Sequence, residues 1–507
     1  MTTLEGLKVV TAQSMALAEK LSIDQGFSAK SYMLACAKKL VSEVAKFIDS
    51  RSLSKRIYLL VGKGNNGGDA LAAGTLLIEK GYHVEAFLLF SKATLSPLAA
   101  EQLTRFEKSK GIARQITQAS QMDFASGSII LDGVFGTGFS GEVKEPVKSC
   151  IDRVNSSGLK ILSIDIPSGI NGNTGEKITS AIYATITFFL ALPKTGFFLQ
   201  EGFNHIGALK CIDFGLESRF IEKIKPTFYL IDREGVEKCF PRIKRDAHKY
   251  SAGHVGVIAT SPSLEGAGLL ASQACYRTGA GLVHLFIPKN VDPLFFASFP
   301  EAIITSFGTE LVQQLQAVSH LSSLVIGPGL CEKSKSVKLA LQEVYAHSDL
   351  PLVIDAGGLN ILKSSFEKKG SNHRVILTPH KGEMARLLGV DKLKDEGLVE
   401  TMQMYVEKHN LVLILKGAPT LIFAPGQTPI ISTFGTPGMA TGGSGDVLSG
   451  ILGTLLAKGL ELRQAAVLGV YIHALAGEIG AEKLSSYSLM ASDILSEIPD
   501  VIKQIVR

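Results

Sequence analysis

Asn65, Asn66 and Asp69 stand among glycines in VGKGNNGGDALAAG, residues 61–74. Glycine costs backbone entropy, so its density at one turn implies a tight turn or a close approach. Apolar IYLL (57–60) leads in and helix-like ALAAGTLLIEKG (70–81) follows. A helix starting there would turn unpaired N–H groups toward an anion. An ordinary glycine-rich turn accounts for the same letters, because GxG spacing alone is weak evidence. Two further turns add oxygen atoms. LDGVFGTGFSGE (131–142) carries Asp132 and a second glycine loop, and SIDIPSGING (163–172) carries Asp165 and Ser168. A fourth, LPKTGF (192–197), is less informative. Loop amides suit a phosphate, whereas aspartates in the same cleft repel it, and a cation reconciles the two. Asparagine carbonyl, carboxylate and serine hydroxyl form a hard oxygen set suited to an alkali or alkaline-earth ion. The plainer alternative is that Asp132 and Asp165 cap turns.

The second half has its own candidate, TPGMATGGSGDVLSGILGTLLAKG (436–459). After GGSGD, apolar Val447, Leu448, Ile451, Leu452, Leu455 and Leu456 recur at helical spacing, beside a small-residue stripe of Gly445, Ser449 and Gly453. This reads as a glycine turn opening a buried helix whose free amides suit anionic oxygen. Asp446 there could accept a proton from a hydroxyl attacking phosphorus. A cap reading of Asp446 leaves the surrounding TGGSG unexplained.

These turns need strands to position them. Short β-branched runs alternate with helix-like segments in both halves, which predicts α/β domains with parallel sheets covered on both faces. The predicted strands are IYLLVG, HVEAFLLF, SIILDGVF, LKILSIDIP and ATITFFLAL, then GHVGVIATS, GLVHLFIP, SLVIGPG, LVIDAG, RVILTPH and LVLILKG. Run after run ends in polar and glycine residues, and open parallel sheets bind ligands at their carboxyl edges. Two sheets imply two sites. The charged stretch 210–250 contains the junction, placed at 222/223 to give domains 1–222 and 223–507.

The chain has 507 residues, 46% apolar and 20% charged, with a net charge of +5. That length implies two or three domains, and no basic run points to nucleic acid or membrane. Six scattered cysteines without a CxxC pair predict reduced thiols and a cytoplasmic protein. MTTLEGLKVVTAQ lacks the pattern of a signal peptide, and AIYATITFFLALP (181–193) is too short to span a bilayer.

NNGGD, LDGVFGTG and DIPSG in this order resemble the NAD(P)H-hydrate epimerase domain over about residues 8–215. The resemblance implies a Rossmann-like domain that interconverts R and S hydrates of NADH or NADPH. It implies potassium ligands at Asn66, Asp132 and Ser168. Substrate contacts would come from Asn65, Asn66, Gly67, Gly68 and Asp69, and from Gly136, Thr137, Gly138, Phe139, Ser140, Gly141 and Glu142. Asp165 would lie at the nicotinamide ring as a catalytic group. Ala70 stands where that family usually has glycine, and MLACAKK (33–39) replaces a segment usually close to LMENAG.

GSGD (443–446) opening a late helix resembles the ribokinase-like superfamily. With GAGLLASQACYRTGAGLV (266–283), VIGPGL (325–330), DAGGLN (355–360), LTPHKGEMARLLG (377–389) and LKGAPTLI (415–422), it is similar to the ADP-dependent NAD(P)H-hydrate dehydratase domain, across about 230–507. The resemblance implies hydrate contacts at Ala267, Gly329, His380 and Asp446, with Asp446 catalytic. It implies an ADP/AMP site at Lys416, Gly417, Ala418, Pro419, Thr420 and Gly445, with magnesium bridging the phosphates. Asp355 reads as structural. Small-molecule substrates and a homo-oligomer are expected. The rival reading is a ribokinase-like kinase fused to a nucleotide-binding interaction domain.

Overall fold

The computed structural model describes residues 4–125, 128–366 and 374–506. The chain divides into two compact units, Lys8–Phe228 and Met1–Leu7 with Tyr229–Arg507.

Seven parallel strands form the sheet of the first unit, in the spatial order Ile112–Gln115, His83–Leu88, Arg56–Val61, Ile129–Gly133, Lys160–Ile164, Ile186–Leu190 and Ala208–Ile212. The order reverses between Arg56–Val61 and Ile129–Gly133, a doubly wound arrangement that opens a crevice at their carboxyl ends. Alternate residues of one central strand enter separate cores. Ile57, Leu59 and Val61 pack in one cluster, and Tyr58 and Leu60 in another. Period-two burial on both faces is why the strand reads as an unbroken apolar run.

Eleven strands form the second sheet, in the order Glu5–Val9, Phe228–Ile231, Ile430–Ser432, Thr420–Phe423, Val412–Leu415, Val375–Leu377, Leu352–Ile354, Ser323–Ile326, His254–Ile258, Leu282–Pro288 and Ile303–Phe307. Thr420–Phe423 runs antiparallel to both neighbours. The helix Ser444–Ala457 is almost wholly buried against this sheet. Its small residues permit the fit: a Cβ at Gly450 would stand 2.1 Å from the Ala271 carbonyl oxygen, and one at Gly453 would stand 2.4 Å from Val325 Cγ2. Ser449, placed in the same stripe by sequence, has a polar task described below.

The sequence-based division at 222/223 differs from the contact division in two respects. The contact division crosses at 228/229 instead, since Phe220 and Ile224 pack in the hydrophobic core of the first unit. The segment Met1–Leu7 groups with the second unit, because the strand Glu5–Val9 lies at the edge of the eleven-stranded sheet. Among the described residues no helix is long and apolar enough to cross a membrane, and the run 181–193 contains the strand Ile186–Leu190.

Candidate active sites

In the first unit, the turn after Arg56–Val61 enters the helix Asn65–Glu79 through Gly64, and no side chain caps that helix. The glycines divide into two groups. A Cβ at Gly62 would lie 1.8 Å from the Val134 carbonyl oxygen, and one at Gly67 would lie 2.2 Å from the Gly62 carbonyl oxygen. These two exist because backbones touch. Gly64, Gly138 and Gly141 meet nothing within 4 Å. A Cβ at Gly68 would meet Met33 Cε at 2.7 Å, so the divergent MLACAKK segment lies against this turn. Ala70 is fully buried, and a Cβ at Gly133 would stand 2.7 Å from its methyl, so the glycine at 133 leaves room for the alanine.

Asn66 Nδ2 donates to the carbonyls of Phe135 (2.8 Å) and Ile164 (3.2 Å), which fixes the amide orientation. Its Oδ1 is buried without a hydrogen-bond partner. Asp132, fully buried, accepts from Ser163 Oγ (2.8 Å), Ser168 N (2.9 Å), Ser168 Oγ (2.5 Å) and Val134 N (3.2 Å). Burial raises its carboxyl above the usual range despite the opposing pull of those bonds.

Asp165 follows the strand Lys160–Ile164 with φ +64°, a conformation that costs a non-glycine residue energy. Its Oδ2 accepts from Thr137 N at 3.0 Å, and its Oδ1 lies 2.9 Å from Lys194 Nζ. Lys194 is wholly buried and also donates to the Leu190 carbonyl at 3.0 Å. Sequence alone does not single out this lysine in LPKTGF, although it is the ion-pair partner of a predicted site residue. Two more acids flank the pair. Burial pushes Glu19 up to about 7, Lys194 working against it and Asp165 with it. Burial, with Asp165 and Glu19 nearby, holds Asp69 well above the carboxylate range.

In the second unit Gly443 is the N-cap of the helix Ser444–Ala457, with φ +90° and no side-chain cap bond, and Asp446 lies in the first turn. Asp446 is therefore not the cap. Burial, together with the charge of Asp355, pushes its carboxyl up to about 7, with Lys416 pulling the other way. Lys416 Nζ lies 2.7 Å from Asp355 Oδ1 and 3.9 Å from Glu383 Oε2. Burial opposes the charge on Lys416, but these carboxylates outweigh it and hold the ammonium above its ordinary range. Asp355 Oδ2 accepts from Ser449 Oγ at 2.9 Å. Asp355, read from sequence as structural, thus sits at the centre of the charged cluster. A Cβ at Gly445 would lie 3.2 Å from Lys416 Nζ and 3.4 Å from Asp355 Oδ2, which brings the helix turn and the cluster together.

His380 caps the helix Lys381–Leu388: its Nδ1 accepts from Gly382 N (3.0 Å) and Glu383 N (3.3 Å). An accepting Nδ1 leaves the proton of the neutral ring on Nε2, as a donor. His473, which sequence alone does not mark, is buried and pushed down to about 4 by that burial, and its Nε2 meets Ser444 Oγ at 3.2 Å. A cavity of about 620 Å³ opens beside this cluster, with Leu264, Leu330, Ala356 and Glu383 in its wall. Gly329 lies against this wall, since a Cβ there would stand 2.8 Å from the Ala267 methyl and 3.4 Å from Leu264 Cβ. Gly417, Ala418 and Pro419 lie between the strands Val412–Leu415 and Thr420–Phe423, and Thr420 Oγ1 donates to the Gly417 carbonyl at 3.0 Å.

Two family models match the chain, one in each half. The family model described as NAD(P)H-hydrate dehydratase matches residues 255–500, and that described as YjeF-related protein N-terminus matches residues 29–196. A bifunctional NAD(P)H-hydrate repair enzyme of Coxiella burnetii is 35% identical over 95% of this chain and 96% of its own. One from Moorella thermoacetica is 31% identical over 98% of this chain and 97% of its own. A solved ribokinase-like superfamily protein from Enterococcus faecalis is 27% identical with a TM-score of 0.50, covering 55% of this chain and 96% of its own. With both domains matched in order and similarity running nearly end to end, the chain belongs to the bifunctional NAD(P)H-hydrate repair enzyme family.

Proposed function

We propose that the first unit equilibrates the R and S hydrates of NADH and NADPH, and that the second dehydrates the S form at the expense of ADP. The observation that carries the second step is Asp446, a carboxyl in the first turn of a helix with no side-chain cap, within electrostatic reach of Lys416 and pushed up to about 7 by burial. The hydrate bears a hydroxyl at C6 of its reduced ring, and hydroxide is a poor leaving group. Asp446 takes the hydroxyl proton while the oxygen attacks the terminal phosphorus of ADP, which releases AMP. The amides of Gly443 and Gly445 meet charge developing on the transferring group. Loss of phosphate from C6 and of a proton from C5 then restores the double bond of the nicotinamide ring. His380 Nε2–H is a hydrogen-bond donor to the hydrate, and Ala267 and Gly329 shape its pocket. Lys416 to Thr420 and Gly445 hold the adenine nucleotide.

Magnesium would supply charge neutralisation on the phosphates when bound, whereas both oxygens of Asp355 are engaged by Lys416 and Ser449. Potassium suits the first unit. Asn66 Oδ1 is a buried oxygen with no partner, Asp132 is a buried carboxylate bonded to hydroxyls and amides rather than to a cationic side chain, and Ser168 adds a hydroxyl. The ion would supply the positive charge that this oxygen set lacks. Asp165 takes the proton of the C6 hydroxyl as the C6–N1 bond opens to an aldehyde and N1 gains a proton. The reverse transfers accompany closure on the other face of C6, and residues 65–69 and 136–142 hold the nucleotide.

The test incubates the full chain with purified S-hydrate, with and without ADP, and follows NADPH absorbance and AMP. Recovery of NADPH with stoichiometric AMP only when ADP is present supports the reading. A phosphorylated product without NADPH recovery would identify a kinase instead.

A further inference from the structure

Lys194 has no access to solvent, yet its charge is not spent on a surface bridge. Its ammonium is held between Asp165 Oδ1 at 2.9 Å and the Leu190 carbonyl at 3.0 Å. Its backbone is held as well. Val10 N donates to the Pro193 carbonyl at 3.0 Å and Thr195 N donates to the Val10 carbonyl at 2.8 Å, bracketing Lys194 in a parallel bridge. Its partner is equally constrained. Asp165 N donates to the Phe188 carbonyl at 2.8 Å, Oδ2 accepts from Thr137 N at 3.0 Å, and the backbone carries the positive φ already noted. The carboxylate is thus restrained by a hydrogen bond at Oδ2 and by the ion pair at Oδ1, which has no hydrogen-bond partner, on a strained residue.

Fully buried lysines are rare and costly unless paired, so this one calls for a reason. Two carboxyls act on one ammonium, Asp165 in contact with it and Glu19 within electrostatic reach, and Asp69 in turn lies within reach of those two acids. Burial raises both Glu19 and Asp69, which favours their neutral forms. Of these acids, Asp165 is the one in direct contact with the cation.

We propose that Lys194 is a positioning residue for epimerisation: it clamps the Asp165 carboxylate against the Thr137 amide, in the orientation needed at C6 of the hydrate. Having no exposed atom, Lys194 does not touch substrate and acts only through Asp165. The inference rests on the epimerase reading of the first unit.

The decisive comparison uses the full chain carrying Asp165→Asn, Lys194→Met, or both. Losing the ammonium alone strands a buried carboxylate, which can unfold a domain by itself. The double variant removes both charges and keeps the test decisive if the single lysine variant does not fold. Epimer exchange on purified R-hydrate is measured as kcat and KM, with ADP-dependent dehydration of S-hydrate as the folding control for the other unit. A clamp acting only through Asp165 predicts that the double variant turns over within about threefold of Asp165→Asn. Where Lys194→Met folds, kcat should fall at least about tenfold with KM little changed, since a general base is worth ~10²–10⁴ in rate. Loss of a further tenfold in the double variant, or normal kcat in Lys194→Met, overturns the proposal. A wild-type chain that does not accelerate epimer exchange would instead overturn the epimerase reading itself.

Discussion

Replacing Asp446 with asparagine should abolish dehydration and yet stabilise the second unit. The carboxyl sits at about 7 in the folded chain, against an ordinary aspartate value of 3.8. The folded state therefore holds its proton more tightly than the unfolded state. Stability from this group is complete below the unfolded value and is lost as pH rises from there through the folded value. A difference of that size corresponds to about 4 kcal/mol lost at pH 8 and under about 2 at pH 5, as upper bounds for a partly buried group. Asparagine cannot ionise, so the Asp446→Asn chain should melt higher than wild type, with a larger margin at pH 8 than at pH 5. Activity should move the other way. ADP-dependent recovery of NADPH should fall by about 10² or more, the scale of a lost general base. In wild type, kcat for dehydration should rise about tenfold from pH 6 to pH 8 and level off as Asp446 ionises. The assay is NADPH absorbance with S-hydrate and saturating ADP, alongside thermal melts at both pH values. A folded variant with near-normal turnover, or a wild-type rate flat across that range, would refute the assignment of Asp446 as the base.

Asp132→Asn should remove any potassium activation of epimer exchange while leaving dehydration unchanged, measured by titrating potassium against each activity separately. Gly445→Ala should weaken ADP binding, read as a raised KM for ADP, because the new methyl would crowd Lys416 Nζ and Asp355 Oδ2 at 3.2 and 3.4 Å. Ala70→Gly should cost roughly 0.5–1 kcal/mol of stability in denaturant melts, the usual helix-interior penalty, with epimerase activity retained.

The strands that position both sites are legible in the sequence because they are buried on both faces and end in glycine and polar residues. Edge strands are not. Ile112–Gln115 (IARQ) and Ala208–Ile212 (ALKCI) are mostly exposed and carry charge, so no apolar run marks them. The second of these overlaps the charged stretch that reads as the junction. The glycines of VGKGNNGGD are visible, but their division is not, since the close approach of Gly62 to Val134 depends on a neighbouring strand. Lys194 illustrates the deeper limit. A lone lysine after proline reads as solvated, and only the fold delivers Asp165 and the Val10 segment to bury it. His473 is hidden differently, within the apolar run of the helix Leu462–Leu484, where one histidine reads as core. Asp355 looks structural by itself, because its partners Lys416 and Ser449 lie far along the chain.

One chain carrying two sequential activities in two units is tested most directly by an equal mixture of R and S hydrates. With excess ADP, wild type should convert the whole mixture to NADPH faster than the hydrates exchange unaided, with one AMP per NADPH. The Asp165→Asn chain should rapidly convert only the S half, then slow to the unaided rate of exchange. If wild type also stops at half conversion, or if Asp165→Asn consumes both epimers at the wild-type rate, the two-site account is contradicted.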